Sequence, residues 1–217
     1  MLPKATICLI LLVSPGQCQT TLPPCAEEVI IPQSVTDIPY RAYFNCDKLV
    51  RLVLHASIAS IGNDAFSGAV NLTSPVSLPG LNVLGSNAFS RTAIPSADLG
   101  NTLTLIGSAA FASCESLRWV NAPSVKTVSV SAFANCVELK DATLHPALET
   151  VGTQAFTFCK KLVTPLGISG LAEIPHRAFF NCRAFNTSLD LPNVEKIEKE
   201  AFASCTSLST PLVAPKL

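Results

Sequence analysis

One motif recurs along this chain at a fixed interval, and it constrains the fold more than any other feature. Its cleanest statement is Ile106-Gly107-Ser108-Ala109-Ala110-Phe111-Ala112-Ser113-Cys114-Glu115-Ser116-Leu117. Copies begin at Ile38, Ile61, Leu84, Ile106, Val128, Val151, Ile174 and Ile197, so successive starts lie 22 or 23 residues apart. A repeat of that length is one supersecondary unit that cannot bury its apolar face alone, so the copies must stack into an array.

Each copy has two halves. The first carries an alanine followed by an aromatic ring: Ala42-Tyr43, Ala65-Phe66, Ala88-Phe89, Ala110-Phe111, Ala132-Phe133, Ala155-Phe156, Ala178-Phe179 and Ala201-Phe202. A ring at a fixed phase is costly to expose, so the rings should stack inwards as a spine, with the alanine admitting the next coil. Cys46, Cys114, Cys136, Cys159, Cys182 and Cys205 follow three residues after the ring. That spacing puts ring and thiol on one side of a helical turn.

The second half alternates, as in Leu117-Arg118-Trp119-Val120-Asn121 and Leu139-Lys140-Asp141-Ala142-Thr143. Period-two alternation predicts a half-buried strand. In two copies a proline, Pro75 or Pro165, enters this half, and because proline donates nothing to a ladder, a bulge or break is expected there. The copy around Thr92-Ala93-Ile94-Pro95 is the most degenerate, with Thr92 at the cysteine phase and a weak strand pattern.

These residues resemble the BspA-like leucine-rich repeats: Ile-Gly-x-x-Ala-Phe-x-x-Cys-x-x-Leu, then an apolar strand and proline. The resemblance runs from Val29 to Leu217. It implies an α/β repeat solenoid of about eight coils, with a parallel concave sheet and short helical or 3-10 turns on the convex side. The family occurs on the surfaces of host-associated bacteria and parasitic protists, and some members are implicated in adhesion to host proteins.

The ends read differently. Lys4 and the apolar run Ala5 to Val13, broken by Ser14 to Cys18, have the form of a signal peptide over residues 1–18. Residues 19–28 would form an N-terminal cap and 29–217 the solenoid. Leu217 falls at a core phase, so the chain is either a piece of a longer one or associates end to end there. Secretion or display at the cell surface follows from this reading. Asn71-Leu72-Thr73 and Asn186-Thr187-Ser188 are candidate N-glycosylation sequons.

Export favours disulfides, yet cysteines sharing one phase point in parallel, so the ladder reads as buried free thiols packing as small hydrophobes. Cys25 lies off that phase and is a candidate to bridge to Cys46.

Charged residues make up only 14% of the chain, net charge is zero, and no basic run exists. Nucleic acid and acidic lipid are therefore not expected partners. His55 and His145 share a phase four coils apart, about 19 Å at sheet spacing, and His176 lies in a turn. No nucleophile elbow, P-loop or metal signature occurs, so no enzyme, cofactor, metal or small-molecule substrate is expected. The outward phase of the strands instead offers a candidate protein-binding face: Arg51, Val53, Arg118, Trp119, Asn121, Lys140, Asp141 and Thr143. Trp119 beside Arg118 has the composition of a hot spot. The expected role is protein binding in adhesion or host interaction, or alternatively a surface scaffold assembled through the C-terminal end.

Overall fold

The computed structural model describes residues 22–146, 148–163, 167–186, 191–208 and 214–216. The expected signal segment, Pro165 and Leu217 fall outside these. In chain order the strands are β1 (Glu28–Ile30), β2 (Asp37–Ile38), β3 (Arg51–Val53), β4 (Ser60–Ile61), β5 (Val76–Ser77), β6 (Val83–Leu84) and β7 (Ser96–Asp98). There follow β8 (Leu105–Ile106), β9 (Trp119–Asn121), β10 (Thr127–Val128), β11 (Asp141–Thr143), β12 (Thr150–Val151), β13 (Glu173–Ile174) and β14 (Lys196–Ile197). All pairings are parallel. The motif starts form a first sheet, β2-β4-β6-β8-β10-β12, continued by a separate pair β13-β14; the second halves form β1-β3 and β5-β7-β9-β11. The backbone is a parallel-strand solenoid of about seven turns, where about eight coils were expected.

The expected ring column is present. Tyr43, Phe66, Phe89, Phe111, Phe133, Phe156, Phe179 and Phe202 stack in sequence with centroids 5.1–5.7 Å apart. Phe66 to Phe179 in this column are fully buried, as are the alanines before them. One apolar residue per coil (Leu81, Val125, Leu148, Leu171, Val194) closes the core where the chain turns into the next motif.

The helical or 3-10 turns expected beside the rings are not there. Among the described residues the single 3-10 turn is Ile168–Gly170, outside the motif. The reason lies in where the amides point. Ala109, Phe111 and Ser113 donate to Val130, Ala132 and Ala134 of the next coil, while Ala110, Ala112 and Cys114 donate three residues back. A helix keeps all its donors within the segment, whereas here alternate donors stitch coil to coil. That geometry needs two left-handed residues per motif, such as Asp64 (φ 56°) and Gly68 (φ 76°) around Phe66. Asn, Asp and Gly enter that region at least cost.

The motif glycine has a separate duty. A Cβ on Gly152 would lie 2.4 Å from the Val130 nitrogen, so glycine permits the coils to close. Its amide also donates to the previous coil, Gly152 to Val128 at 2.7 Å. At the next motif Pro175 stands in this position and has no donor. The first sheet is interrupted there, between β12 and β13. Pro75 acts likewise in the second sheet: β3 and β5 do not pair, and the Leu52 amide donates instead to Ser74 Oγ at 3.0 Å. The expected break at Pro75 is therefore observed. The degenerate copy, by contrast, does form a strand, β7, against expectation: Ala97 is small and fully buried and pairs in register with Val76 and Val120.

The thiols divide. Cys114, Cys136, Cys159, Cys182 and Cys205 are free and buried. Each donates to the carbonyl of a ring residue in the preceding coil at 3.0–3.1 Å, for instance Cys136 to Phe111. They are thus hydrogen-bonding groups as well as small hydrophobes. Cys46 leaves the ladder because it bridges to Cys25 across a sequence separation of 21. The bridge pins the cap segment, whose Pro23 carbonyl accepts from the Tyr43 hydroxyl at 3.0 Å, over the first ring of the column. A closed loop of this size contributes about 3 kcal/mol. Reduction is expected to lower the thermal midpoint by several degrees, and Cys25→Ser with Cys46→Ala should abolish that dependence on reductant in a thermal scan.

Candidate functional site

Strand alternation puts two columns of side chains outward on β5, β7, β9 and β11. Register aligns Ser96, Trp119 and Asp141 in one column and Ser77, Asp98, Asn121 and Thr143 in the other. Between them Ala97, Val120 and Ala142 point inward and are buried. Trp119 is 45% exposed, and its register neighbour Ser96 is a small, buried polar residue.

The two columns differ in chemistry. Asn121 Nδ2 donates to Asp98 Oδ1 at 2.9 Å, and the same oxygen accepts from the Gly100 amide at 3.3 Å. Thr143 Oγ1 donates to Asp141 Oδ1 at 3.4 Å. Arg118 and Lys140 are exposed just before their strands, where the Lys140 amide donates to the Arg118 carbonyl at 2.9 Å.

The expected binding residues therefore fall into two groups. Arg118, Trp119, Asn121, Lys140, Asp141 and Thr143 are contiguous on β9 and β11 and their approaches. Arg51 and Val53 lie on β3, across the Pro75 interruption, where they help line a groove of about 350 Å³. Arg51 is held there by Glu28 at 2.8 Å. Asp98, which the sequence reading missed, belongs to the first group; the signal was its spacing of 23 from Asn121.

Carboxylates elsewhere are tied to structure. The Lys161 ammonium holds Glu138 below the usual range, Lys126 does so for Glu149, Lys196 for Glu198 and the Arg177 guanidinium for Glu200. The hydroxyls of Thr36 and Ser60 do the same for Asp37. All these carboxyls are lowered, the direction opposite to that of a general acid at neutral pH. His55 Nε2 lies 2.9 Å from the Pro32 carbonyl and His176 Nδ1 lies 2.8 Å from that of Lys199. Among the described residues no group of three His, Cys, Asp or Glu could hold a metal ion, and no helix is long and apolar enough to cross a membrane.

Of the two sequons, Asn71 is exposed in a turn and its amide donates to the Asp47 carbonyl at 2.7 Å. Asn186 is exposed at the repeat phase of Arg118 and Lys140; Thr187 and Ser188 fall outside the described residues.

The profile of the BspA type leucine rich repeat region matches residues 24–91 and 82–209, in six copies. No curated protein matches the chain. Among solved structures, the leucine rich repeat protein TpLRR of T. pallidum is 26% identical with a TM-score of 0.66, over 75% of this chain and 79% of that one. A leucine-rich repeat protein from Eubacterium ventriosum is 20% identical with a TM-score of 0.53, over 86% of this chain and 45% of its own. One from Bacteroides ovatus is 24% identical with a TM-score of 0.48, over 83% of this chain and 64% of its own.

Proposed function

The chain belongs to the BspA-type leucine-rich repeat family, and we propose that it is an exported, non-enzymatic protein that binds another protein in cell-surface adhesion or host interaction. In this reading residues 1–18 direct export, the second sheet lines the inner side of the curve, and Asn71 and Asn186 are glycan acceptors. The observation that carries it is the outward face of β9 and β11, where Trp119 stands half exposed among aligned polar side chains. A parallel sheet that repeats one outward set per coil is a platform for a partner, and an exposed Trp is the side chain most enriched at hot spots. The Cys25–Cys46 bridge supports an oxidising destination.

The test is surface capture of a defined panel of purified matrix and plasma proteins by residues 19–217. Trp119→Ala should weaken the captured ligand by about 2 kcal/mol, roughly thirtyfold in Kd, with an unchanged thermal midpoint. Capture that is indifferent to Trp119, Arg118 and Asp141 alike would remove this face from the binding role.

A further inference from the structure

The surroundings of Trp119 suit one ligand chemistry better than a bare polypeptide. A protein hot spot is normally ringed by contacts that exclude water. Here the ring is an isolated aromatic in a polar field, with Ser96 and Asp141 beside it in register and Asn121 two residues along the same strand. The columns stand about 6.7 Å apart along the strands and neighbouring coils about 4.8 Å apart, the scale of a single sugar ring.

The second column supplies what vicinal hydroxyls need. Asp98 Oδ1 is occupied by Asn121 and Gly100, which fixes the carboxylate plane. Asp98 Oδ2 and Asn121 Oδ1 keep no partner among the described residues, and both side chains are partly exposed. A carboxylate accepts and an amide both donates and accepts, so the pair can take two adjacent hydroxyls. The negative face of an indole attracts the weakly positive C–H face of a pyranose. A shallow site with one aromatic plate and a few convergent polar groups takes its specificity from those groups.

We propose that this face recognises a carbohydrate, with a pyranose stacked on Trp119 and hydrogen-bonded by Asp98 and Asn121. This rests on the binding role proposed above and names the glycan of a glycosylated partner as the part that is read.

Trp119 is the sole tryptophan, so its emission reports the site directly. Residues 19–217 are titrated with a panel of free monosaccharides and oligosaccharides. A saturable shift in emission is expected with at least one of them. Asn121→Ala should raise the apparent Kd at least tenfold without moving the thermal midpoint, while Val83→Ala, exposed on β6 of the first sheet, should leave it unchanged. A response that Asn121→Ala does not weaken overturns the assignment. So does the absence of any response alongside a panel protein whose capture still depends on Trp119, an outcome that keeps the binding role and rejects the sugar. Absence of both rejects the two together.

Discussion

Raising the pH from about 8 towards 11 is expected to unfold this protein, and the five buried thiols are the reason. Burial pushes the Cys114 thiol up to about 11 and raises Cys136, Cys159 and Cys182 well above the usual thiol range, with Cys205 raised in the same direction. In the unfolded chain they titrate near 8.5. Below that value both states keep their protons, and the stabilisation is full. Above it the unfolded chain loses thiol protons that the folded chain keeps, so stability falls as pH rises towards the folded values. Each thiol contributes a slope of about 1.4 kcal/mol per pH unit. The four most deeply buried together approach about 5–6 kcal/mol per unit, comparable to the whole stability of a typical domain. Burial also pushes the Tyr43 phenol up to about 12, which adds in the same sense above pH 10. Urea midpoints between pH 7.5 and 10.5 measure the slope. The double variant Cys136→Ala, Cys159→Ala should release about two fewer protons on unfolding. A midpoint flat to pH 10.5, or rapid thiol labelling of the folded protein at pH 8, would contradict this account.

That behaviour shows how the sequence was read well in one respect and poorly in another. Period, ring phase and strand alternation were legible because each is a spacing, and Phe66 to Phe179 and Val120 between Trp119 and Asn121 lie where spacing puts them. The thiol hydrogen bonds were not, since Cys136 meets Phe111 only when one coil is laid on another. The turn arm was misread as helical because a ring and a cysteine three residues apart approach each other in a helix and in consecutive turns alike. The distinguishing signal flanked the ring. Asp64 and Gly68, Asn87, Asn45, Asn135 and Asn181 are residues that accept left-handed backbone, and they recur two positions before or after it. Pro175 was legible in principle, as the one proline replacing a motif glycine with a stacking coil on its N-terminal side. It takes the ladder to show that this glycine's amide is a donor. Asp98 was missed because β7 looked weak, and its partnership with Asn121 is again a contact between coils.

The ring column carries the second large expectation. Phe111 is fully buried and stacked between Phe89 at 5.7 Å and Phe133 at 5.4 Å. Phe111→Ala removes contacts to both neighbours and leaves a cavity that the main-chain stitching of Ala109 and Ser113 to the next coil prevents from collapsing. Such truncations cost about 3–5 kcal/mol. Because each coil contacts only its neighbours, stability is a sum of local terms, and a weak coil in the middle divides the array. Two transitions are therefore expected in guanidinium. Trp119, eight residues on from Phe111, should report the first by fluorescence, and circular dichroism should register both. Phe202→Ala is the comparison: that ring is only partly buried and, among the described residues, stacks on Phe179 alone, so its loss should be smaller and unfolding should start from that side. A single coincident transition shifted by less than about 1 kcal/mol in Phe111→Ala would mean that the rings fill space without joining the coils. The platform that presents Trp119 would then owe its rigidity to the amide ladders rather than to the stack.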